Sequence, residues 1–129
     1  MTQRLVTGRI VWAEIADANG HRKLRPAVVV TPTDRLVSSP LVDVVAVTSR
    51  LDDPLPDDYV LLPWHAQRHP RTGLNRQCAA VCNWLSQIAE SDIQDTAGIV
   101  PTREMQAILS RIAGALPPPG PESSAEAGP

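Results

Sequence analysis

The stretch Arg25-Pro26-Ala27-Val28-Val29-Val30-Thr31 decides how the rest of the chain is read. Pro26 has no N–H to give to a ladder, so it belongs at the first residue of a strand or on an edge. The run from Ala27 to Thr31 is apolar and mostly β-branched, which suits a packed, pleated surface. The expectation is a core strand from Arg25 to Thr31, with the Arg25 guanidinium at its mouth. A second apolar run, Val44-Val45-Ala46-Val47, ends in Thr48-Ser49-Arg50. Two rigid strands thus each deliver cationic or hydroxyl groups at one end, a common way of building a phosphate-handling site.

Working outward, Gly8 to Ile15 reads as a first strand with Ile10 and Trp12 on one face. Alternation fails at Val11, so both faces are expected to be partly covered. Ala16 to Leu24 is a polar loop in which Asn19-Gly20 marks a turn. After a loop from Pro32 to Pro40, Leu41 to Thr48 forms the next strand. The acidic, proline-broken segment from Leu51 to Asp58 cannot be a strand interior. Tyr59 to Leu62 is a short strand, Pro63 to Gly73 a long polar loop, Cys78 to Leu85 a buried strand, and Gly98 to Val100 a last short one. The clearest helix starts after Pro101, with Thr102 as N-cap and Glu104 near the positive end of the helix dipole. Met105, Ile108, Leu109, Ile112 and Leu116 make one apolar stripe. Short strands in series, one late helix and no βαβ alternation give a mainly β, α+β chain: a small antiparallel β-barrel with a C-terminal helix.

A chain of 129 residues implies one domain, placed at 1–116. Pro117-Pro118-Pro119 stops the helix, and residues 117–129 cannot bury a core, so they are expected to be a disordered tail. No run of about 18 apolar residues offers a transmembrane helix, and the N-terminus lacks a hydrophobic secretory segment. With two cysteines and no such signal, a reducing, cytoplasmic setting is expected. The net charge of −2 is unevenly placed: Glu122 and Glu126 lie in the tail, leaving a neutral body with twelve acids and twelve bases. Eleven bases are arginine and only Lys23 is lysine. Arginine's planar fork grips phosphate bidentately; charge allows a nucleic-acid partner without demanding one, and in a neutral body any basic surface must be local.

Arg25 with Thr48 and Ser49 is the leading site. Cleaving RNA by internal transesterification needs a base for the ribose 2′-OH, donors for the charged phosphorane, and an acid for the leaving 5′-oxygen. Arg25 supplies charge and donors, and one preorganised donor is worth about 3–4 kcal/mol of barrier. Thr48 offers a hydroxyl to a phosphate oxygen. In the alternative reading Arg25 pairs with a loop carboxylate and Thr48 caps a turn. His21, in the loop entering the Arg25 strand, suits general acid–base work, which a permanently charged guanidinium does not. Trp64, Arg68 and Arg71 in the long loop form a candidate base-stacking and phosphate-contacting surface, the alternative being an ordinary exposed loop anchored by one tryptophan. His65, His69, Cys78 and Cys82 have a superficially zinc-like inventory. The H-E-x-x-H glutamate is missing, however, because Ala66 follows His65. Two cysteines four residues apart on one strand stand about 13 Å apart, too far to share an ion. No metal and no cofactor are expected.

These features, taken in order, resemble the MazF/PemK family of type II toxin–antitoxin ribonucleases. The resemblance is carried by Gly8-x-Ile10-Val11-Trp12, Gly20-His21, Arg25-Pro26-Ala27-Val28-Val29-Val30, Val44-Val45-Ala46-Val47-Thr48-Ser49 and Thr72-Gly73-Leu74, and it continues through Gly98-Ile99-Val100 and the helix past Met105 and Ile112. It spans residues 8 to 116. The resemblance implies an SH3-like barrel with a C-terminal helix, assembled as a homodimer. It also implies metal-independent, sequence-selective cleavage of single-stranded RNA to a 2′,3′-cyclic phosphate and a 5′-hydroxyl, and a small antitoxin whose acidic segment folds onto the RNA groove. The family's functional arginine and threonine map onto Arg25 and Thr48, and a histidine used by some members maps onto His21.

The chain also departs from the pattern. The loop between Gly20-His21 and Arg25-Pro26 is shorter than usual and lacks the glutamate and glycine often found there. In the late strand, where members often carry Asp-Gln followed by an arginine, this chain has Asn83-Trp84-Leu85-Ser86, and acid–base positions are replaced by Val81 and Asn83. Trp84 is therefore a candidate base-stacking residue, and Ser49 and Arg50 join it as candidate RNA contacts. Two alternatives stand beside the ribonuclease: a non-catalytic, gyrase-poisoning type of toxin on the same barrel, and a degenerate member that only binds its antitoxin.

Overall fold

The computed structural model describes residues 5–115 except Ala18, so the expectations for Leu116 and for the tail 117–129 lie outside the described residues. In chain order the elements are β1 (Arg9–Ala16), β2 (Arg22–Val29), a one-turn helix α1 (Thr33–Leu36), β3 (Leu41–Thr48), β4 (Tyr59–Leu61), β5 (Ala79–Ala89), a 3-10 turn (Glu90–Asp92), β6 (Ile93–Ile99) and α2 (Thr102–Ala115). The strands form one antiparallel sheet in the order β4-β5-β3-β2-β1-β6. Among the described residues β4 and β6 are its edges, so the sheet is open rather than a closed barrel. Register shifts in the β1–β6 and β3–β5 ladders bend it into a barrel-like curve.

β2 corrects the opening expectation at both ends: it spans Arg22–Val29, so Arg25 and Pro26 lie inside the strand and Val30 and Thr31 beyond it. The β2–β3 ladder runs only from Ala27 to Val29, although Val30 still donates to the Asp43 carbonyl at 2.9 Å. Val30 and Pro26 share a parity, so the missing Pro26 N–H points towards β3 just beyond the end of that ladder. Proline's lost donor is therefore harmless, while Ala27 and Val28 proceed into the core.

Both sheet faces are covered, as the failed alternation at Val11 requires. On one face Ile10, Val28, Val45, Val60, Leu62 and Cys82 pack with Met105, Ile108 and Ile112 of α2. On the other, Val11, Ala13, Ile15, Ala27, Val29, Val42, Val44 and Ile88 cluster beneath Leu36, Trp84 and Ile93. Burying each large aliphatic side chain of this kind contributes about 1.5–3 kcal/mol, and this is what fixes α2 to the sheet. Leu109 departs from the expected stripe and is 41% exposed, because the face that meets the sheet is centred on Met105, Ile108 and Ile112. The helix also starts one residue early: Met105 donates to the Pro101 carbonyl, so Pro101 rather than Thr102 holds the cap position.

Cys78 and Cys82 are free, buried core residues, and burial pushes the Cys78 thiol up to about 11 and raises that of Cys82. Among the described residues no helix is long and apolar enough to cross a membrane.

Candidate functional site

The β1–β2 connection is a tight hairpin that the sequence builds around one carboxylate. The Asp17 N–H donates to the His21 carbonyl at 3.0 Å, and the Gly20 N–H donates to the Asp17 carbonyl at 3.0 Å. Gly20 takes φ +85°, a region L side chains rarely adopt. The Asp17 carboxylate accepts the N–H groups of Asn19 at 2.9 Å and His21 at 3.0 Å. These bonds, led by the His21 N–H, hold the carboxyl below its ordinary range, with smaller help from the His21 and Arg25 charges.

Arg25 stands beside this hairpin, one-fifth exposed. Its Nε donates to the Ile15 carbonyl at 3.2 Å, and one terminal nitrogen lies 3.9 Å from Asp17 Oδ2, an ion-pair distance beyond hydrogen-bond reach. Its guanidinium carbon sits 4.7 Å above the centre of the Trp84 ring. Trp84 in turn donates its Nε1–H to the Ala16 carbonyl at 3.0 Å.

Trp84 reaches this position through an irregularity in β5. Val45 pairs with Leu85 and Val47 with Ala80, so β5 advances five residues while β3 advances two. The extra residues turn towards β4, where Cys82 N–H reaches the Asp58 carbonyl at 2.9 Å. A bulge of this kind re-aims the side chains it carries, and here it directs the indole to Arg25.

Thr48, the last residue of β3, accepts the Arg50 N–H on Oγ1 at 3.1 Å. Both partners named in the alternative reading are thus present: a loop carboxylate for Arg25 and a turn cap for Thr48. Neither excludes ligand binding. The Thr48 hydroxyl accepts in that contact and retains its own proton for donation.

The long loop 63–73 is pinned by its own polar groups. His69 Nδ1 accepts the N–H groups of Arg71 at 3.1 Å and Thr72 at 3.3 Å, and His65 Nδ1 accepts that of Gln67 at 3.1 Å. Thr72, fully buried, donates to the Pro63 carbonyl at 2.8 Å and accepts the Leu74 N–H at 3.1 Å. The loop docks on β6 through Gly98 N–H to Thr72 carbonyl, 3.0 Å, and Ile99 N–H to Arg71 carbonyl, 2.7 Å. Only glycine permits this approach, because a Cβ at Gly98 would lie 1.8 Å from the Arg71 carbonyl oxygen.

These parts enclose an open groove of about 1160 Å³. It brings together seven of the sequence-derived candidates: Arg25, Thr48, Ser49, Arg50, Arg68, Arg71 and Trp84. Lys23 and Arg76 add to it, so six cationic side chains face two acids, Asp17 and Asp95. The body of the chain is neutral, yet this groove is strongly positive. Two candidates are not among its lining residues. His21 projects from the hairpin with 82% of its side chain exposed and Nδ1 3.8 Å from Asp17 Oδ2, and Trp64 is half-exposed elsewhere on the loop. For Trp84, one ring face is occupied by Arg25.

Sequence reasoning missed Asp17, Lys23 and Arg76. Asp17 carried a signal, an aspartate opening the Asp-Ala-Asn-Gly turn. Lys23 and Arg76 carried none. Among the described residues no three His, Cys, Asp or Glu side chains are placed to share a metal ion.

The model of PemK-like, MazF-like toxins of type II toxin–antitoxin systems matches residues 7–116. Among curated proteins none matches. The fold is similar to that of crystalline MazF from Deinococcus radiodurans, with a TM-score of 0.71 and 18% identity over 88% of this chain and 96% of that one. It is similar to the Mycobacterium tuberculosis toxin MazF-mt6, with a TM-score of 0.65 and 19% identity over 83% of this chain and 94% of the other. A mycobacterial endoribonuclease in complex with its cognate antitoxin aligns with a TM-score of 0.68 and 15% identity, covering 89% of this chain and 99% of its own. At such identities the likeness is one of fold.

Proposed function

The chain belongs to the PemK-like, MazF-like family of type II toxin–antitoxin toxins, and from that premise we propose that it is a metal-independent endoribonuclease acting on single-stranded RNA. The observation that carries the reading is the positive groove, with Arg25 on one wall, Thr48 and Arg50 on another, and the Arg68–Arg71 loop closing it. Six cations around a cleft match a substrate that is polyanionic along its length, and the arginine fork suits non-bridging phosphate oxygens.

In this mechanism the ribose 2′-oxygen attacks the adjacent phosphorus. Negative charge accumulates on the non-bridging oxygens of the phosphorane, and the 5′-oxygen departs, leaving a 2′,3′-cyclic phosphate and a 5′-hydroxyl. Arg25 neutralises the charge that develops on the phosphorane. It is held at Nε by Ile15, so little reorganisation is needed as the charge forms. The Asp17 contact, at 3.9 Å, is long enough for a phosphate to displace. Thr48 donates its hydroxyl proton to a phosphate oxygen, while the Arg50 N–H fixes its rotamer. Ser49, Arg50, Arg68 and Arg71 bind flanking phosphates, and Trp64 offers a surface for a base. His21, reaching the site from the exposed end of the hairpin, carries one of the two protons, as base for the 2′-OH or as acid for the 5′-oxygen, and water carries the other. The protein acts as a homodimer in the cytoplasm, and its second partner is a cognate antitoxin carrying an acidic segment that occupies the same positive groove.

Purified protein incubated with a long RNA in EDTA is expected to give discrete cuts with cyclic-phosphate ends, absent in Arg25→Ala and strongly reduced in Thr48→Ala. Intact RNA across a wide range of protein concentrations would reject the reading. The second reading, a non-catalytic toxin acting on a protein target, is favoured by Val81 being buried and Asn83 being no acid or base. It requires growth arrest that persists in Thr48→Ala without any RNA cleavage.

A further inference from the structure

We propose that Trp84 is a positioning residue for Arg25: the indole, brought out of the β5 ladder by its bulge, fixes the guanidinium and ties it to the hairpin that carries Asp17. In its effect on catalysis the inference rests on the ribonuclease reading above.

Three contacts restrain the guanidinium. The Trp84 ring centre lies 4.7 Å from the guanidinium carbon above it, the Ile15 carbonyl takes the Nε–H at 3.2 Å, and the Asp17 carboxylate stands 3.9 Å from a terminal nitrogen. The ring thus blocks motion out of one face, while the Ile15 carbonyl fixes rotation about the long side chain. An unrestrained arginine loses much rotamer entropy when it grips a ligand. Here that loss is taken on folding, and the terminal nitrogens remain for the groove that Arg25 lines.

The ring is itself held from a second direction. Its Nε1–H donates to the Ala16 carbonyl at 3.0 Å, across 68 residues of sequence, and its hydrocarbon packs against the core beneath β1 and β3. Ala16 ends β1 and precedes Asp17. One indole therefore fixes both Arg25 and the stem of the hairpin whose Asp17 carboxylate flanks it. Loss of the ring frees the cation and the stem together, so Trp84 acts through Arg25 rather than on the phosphate.

The register supports this assignment over a purely structural one. A tryptophan serving only the core needs no bulge, whereas here β5 departs from β3 by three residues between the Val45–Leu85 and Val47–Ala80 pairs, in the segment holding Trp84. The carbonyl that receives its N–H also belongs to the strand end beside Arg25, rather than to β5's neighbours in the sheet.

The test compares Trp84→Phe, which keeps an aromatic face and loses the Ala16 bond, with Trp84→Leu, which keeps apolar bulk and loses both. Steady-state cleavage of a short RNA carrying a mapped cut site gives kcat and KM for each, and urea unfolding confirms that the variants fold. Independently of activity, the Arg25 Nε–H is followed by NMR, where the ring current displaces it and the Ile15 bond slows its exchange. In Trp84→Leu, kcat is expected to fall about tenfold or more with KM changed less than about threefold, and the Arg25 Nε–H to move and exchange faster. Trp84→Phe is expected to retain most of kcat. A Trp84→Leu enzyme with wild-type kcat, or one that loses affinity alone, overturns the proposal; the second result would make Trp84 a base-stacking residue. If wild-type protein cleaves no RNA, the ribonuclease reading fails on its own and the Arg25 resonance decides the positioning claim. A resonance unchanged in Trp84→Leu overturns it, and one released supports it. Should Trp84→Leu not fold, Trp84→Phe and the resonance in the wild type carry the same decision: an Arg25 Nε–H without ring-current displacement or exchange protection refutes the stack.

Discussion

Replacing Gly98 by alanine tests how the arginine-bearing loop is held. A Cβ at this position would stand 1.8 Å from the Arg71 carbonyl oxygen and 2.5 Å from the Thr72 carbonyl carbon, both of them backbone atoms that no rotamer change can move away. Ordinary contact begins near 3.4 Å, so loop and strand must part by more than an ångström. That separation breaks the Gly98–Thr72 and Ile99–Arg71 backbone hydrogen bonds, at 3.0 and 2.7 Å. Each such bond contributes about 0.5–1.5 kcal/mol net, giving a loss of about 1–3 kcal/mol. For a domain of this size the melting temperature should fall by roughly 4–13 °C. The Arg68 and Arg71 side chains lose their anchored backbone at the same time, so affinity for a single-stranded oligonucleotide should drop more steeply than in Arg71→Ala alone. Calorimetry or urea unfolding reads the first effect and fluorescence anisotropy the second. A Gly98→Ala protein as stable as the wild type to within about 0.5 kcal/mol would refute the docking argument, because surface substitutions away from such features stay in that range.

Thr72→Val keeps the volume of a fully buried residue but leaves the Pro63 carbonyl and the Leu74 N–H without their partner. It should destabilise by about 1–3 kcal/mol, and Thr72→Ser should recover most of that in urea unfolding. Cys78, with its thiol pushed up to about 11, should resist alkylation in the native state at mildly alkaline pH and react once the protein is unfolded; rapid native labelling in a mass-spectrometric time course would contradict its burial. Asp17 has a depressed pKa in the fold, so its contribution is present above the ordinary value of 3.8 and disappears as pH falls through the lower folded value. Asp17→Asn should flatten that acid limb of the unfolding midpoint, and an identical acid dependence in both proteins would assign it to other carboxylates. Arg25→Lys keeps the charge but loses the Nε donor to Ile15 and the guanidinium over the Trp84 ring; it should retain less than about a tenth of the cleavage rate, measured as cut RNA per unit time.

Element positions were readable where local chemistry dictates them. β1, β3 and β4 fall within a residue of the apolar runs that announce them, and α2 follows from its apolar spacing and the flanking prolines. Strand ends were less legible. β2 begins at Arg22, because pairing with Glu14, Ile15 and Ala16 of β1 extends the strand through residues whose own composition reads as loop. β5 continues to Ala89 because Leu41, Val42 and Asp43 pair with its second half. Leu109 shares the apolar periodicity yet stays exposed, because periodicity gives a face but not the direction from which a sheet approaches it.

The candidate site divides in the same way. Sequence by itself determined that a guanidinium would directly precede the buried run of one strand and a hydroxyl stand at the end of another, since strand propensity and proline chemistry are local. It also determined that any basic surface must be local, because the body carries as many acids as bases. Only the tertiary structure decided where that surface falls. Arg68 and Arg71 reach the groove because Gly98 lets their loop dock on β6, and Trp84 reaches Arg25 because β5 slips three residues against β3. Both depend on register between strands distant in sequence. Register is set by the summed packing and hydrogen bonding of whole ladders, so no single stretch of the chain encodes it.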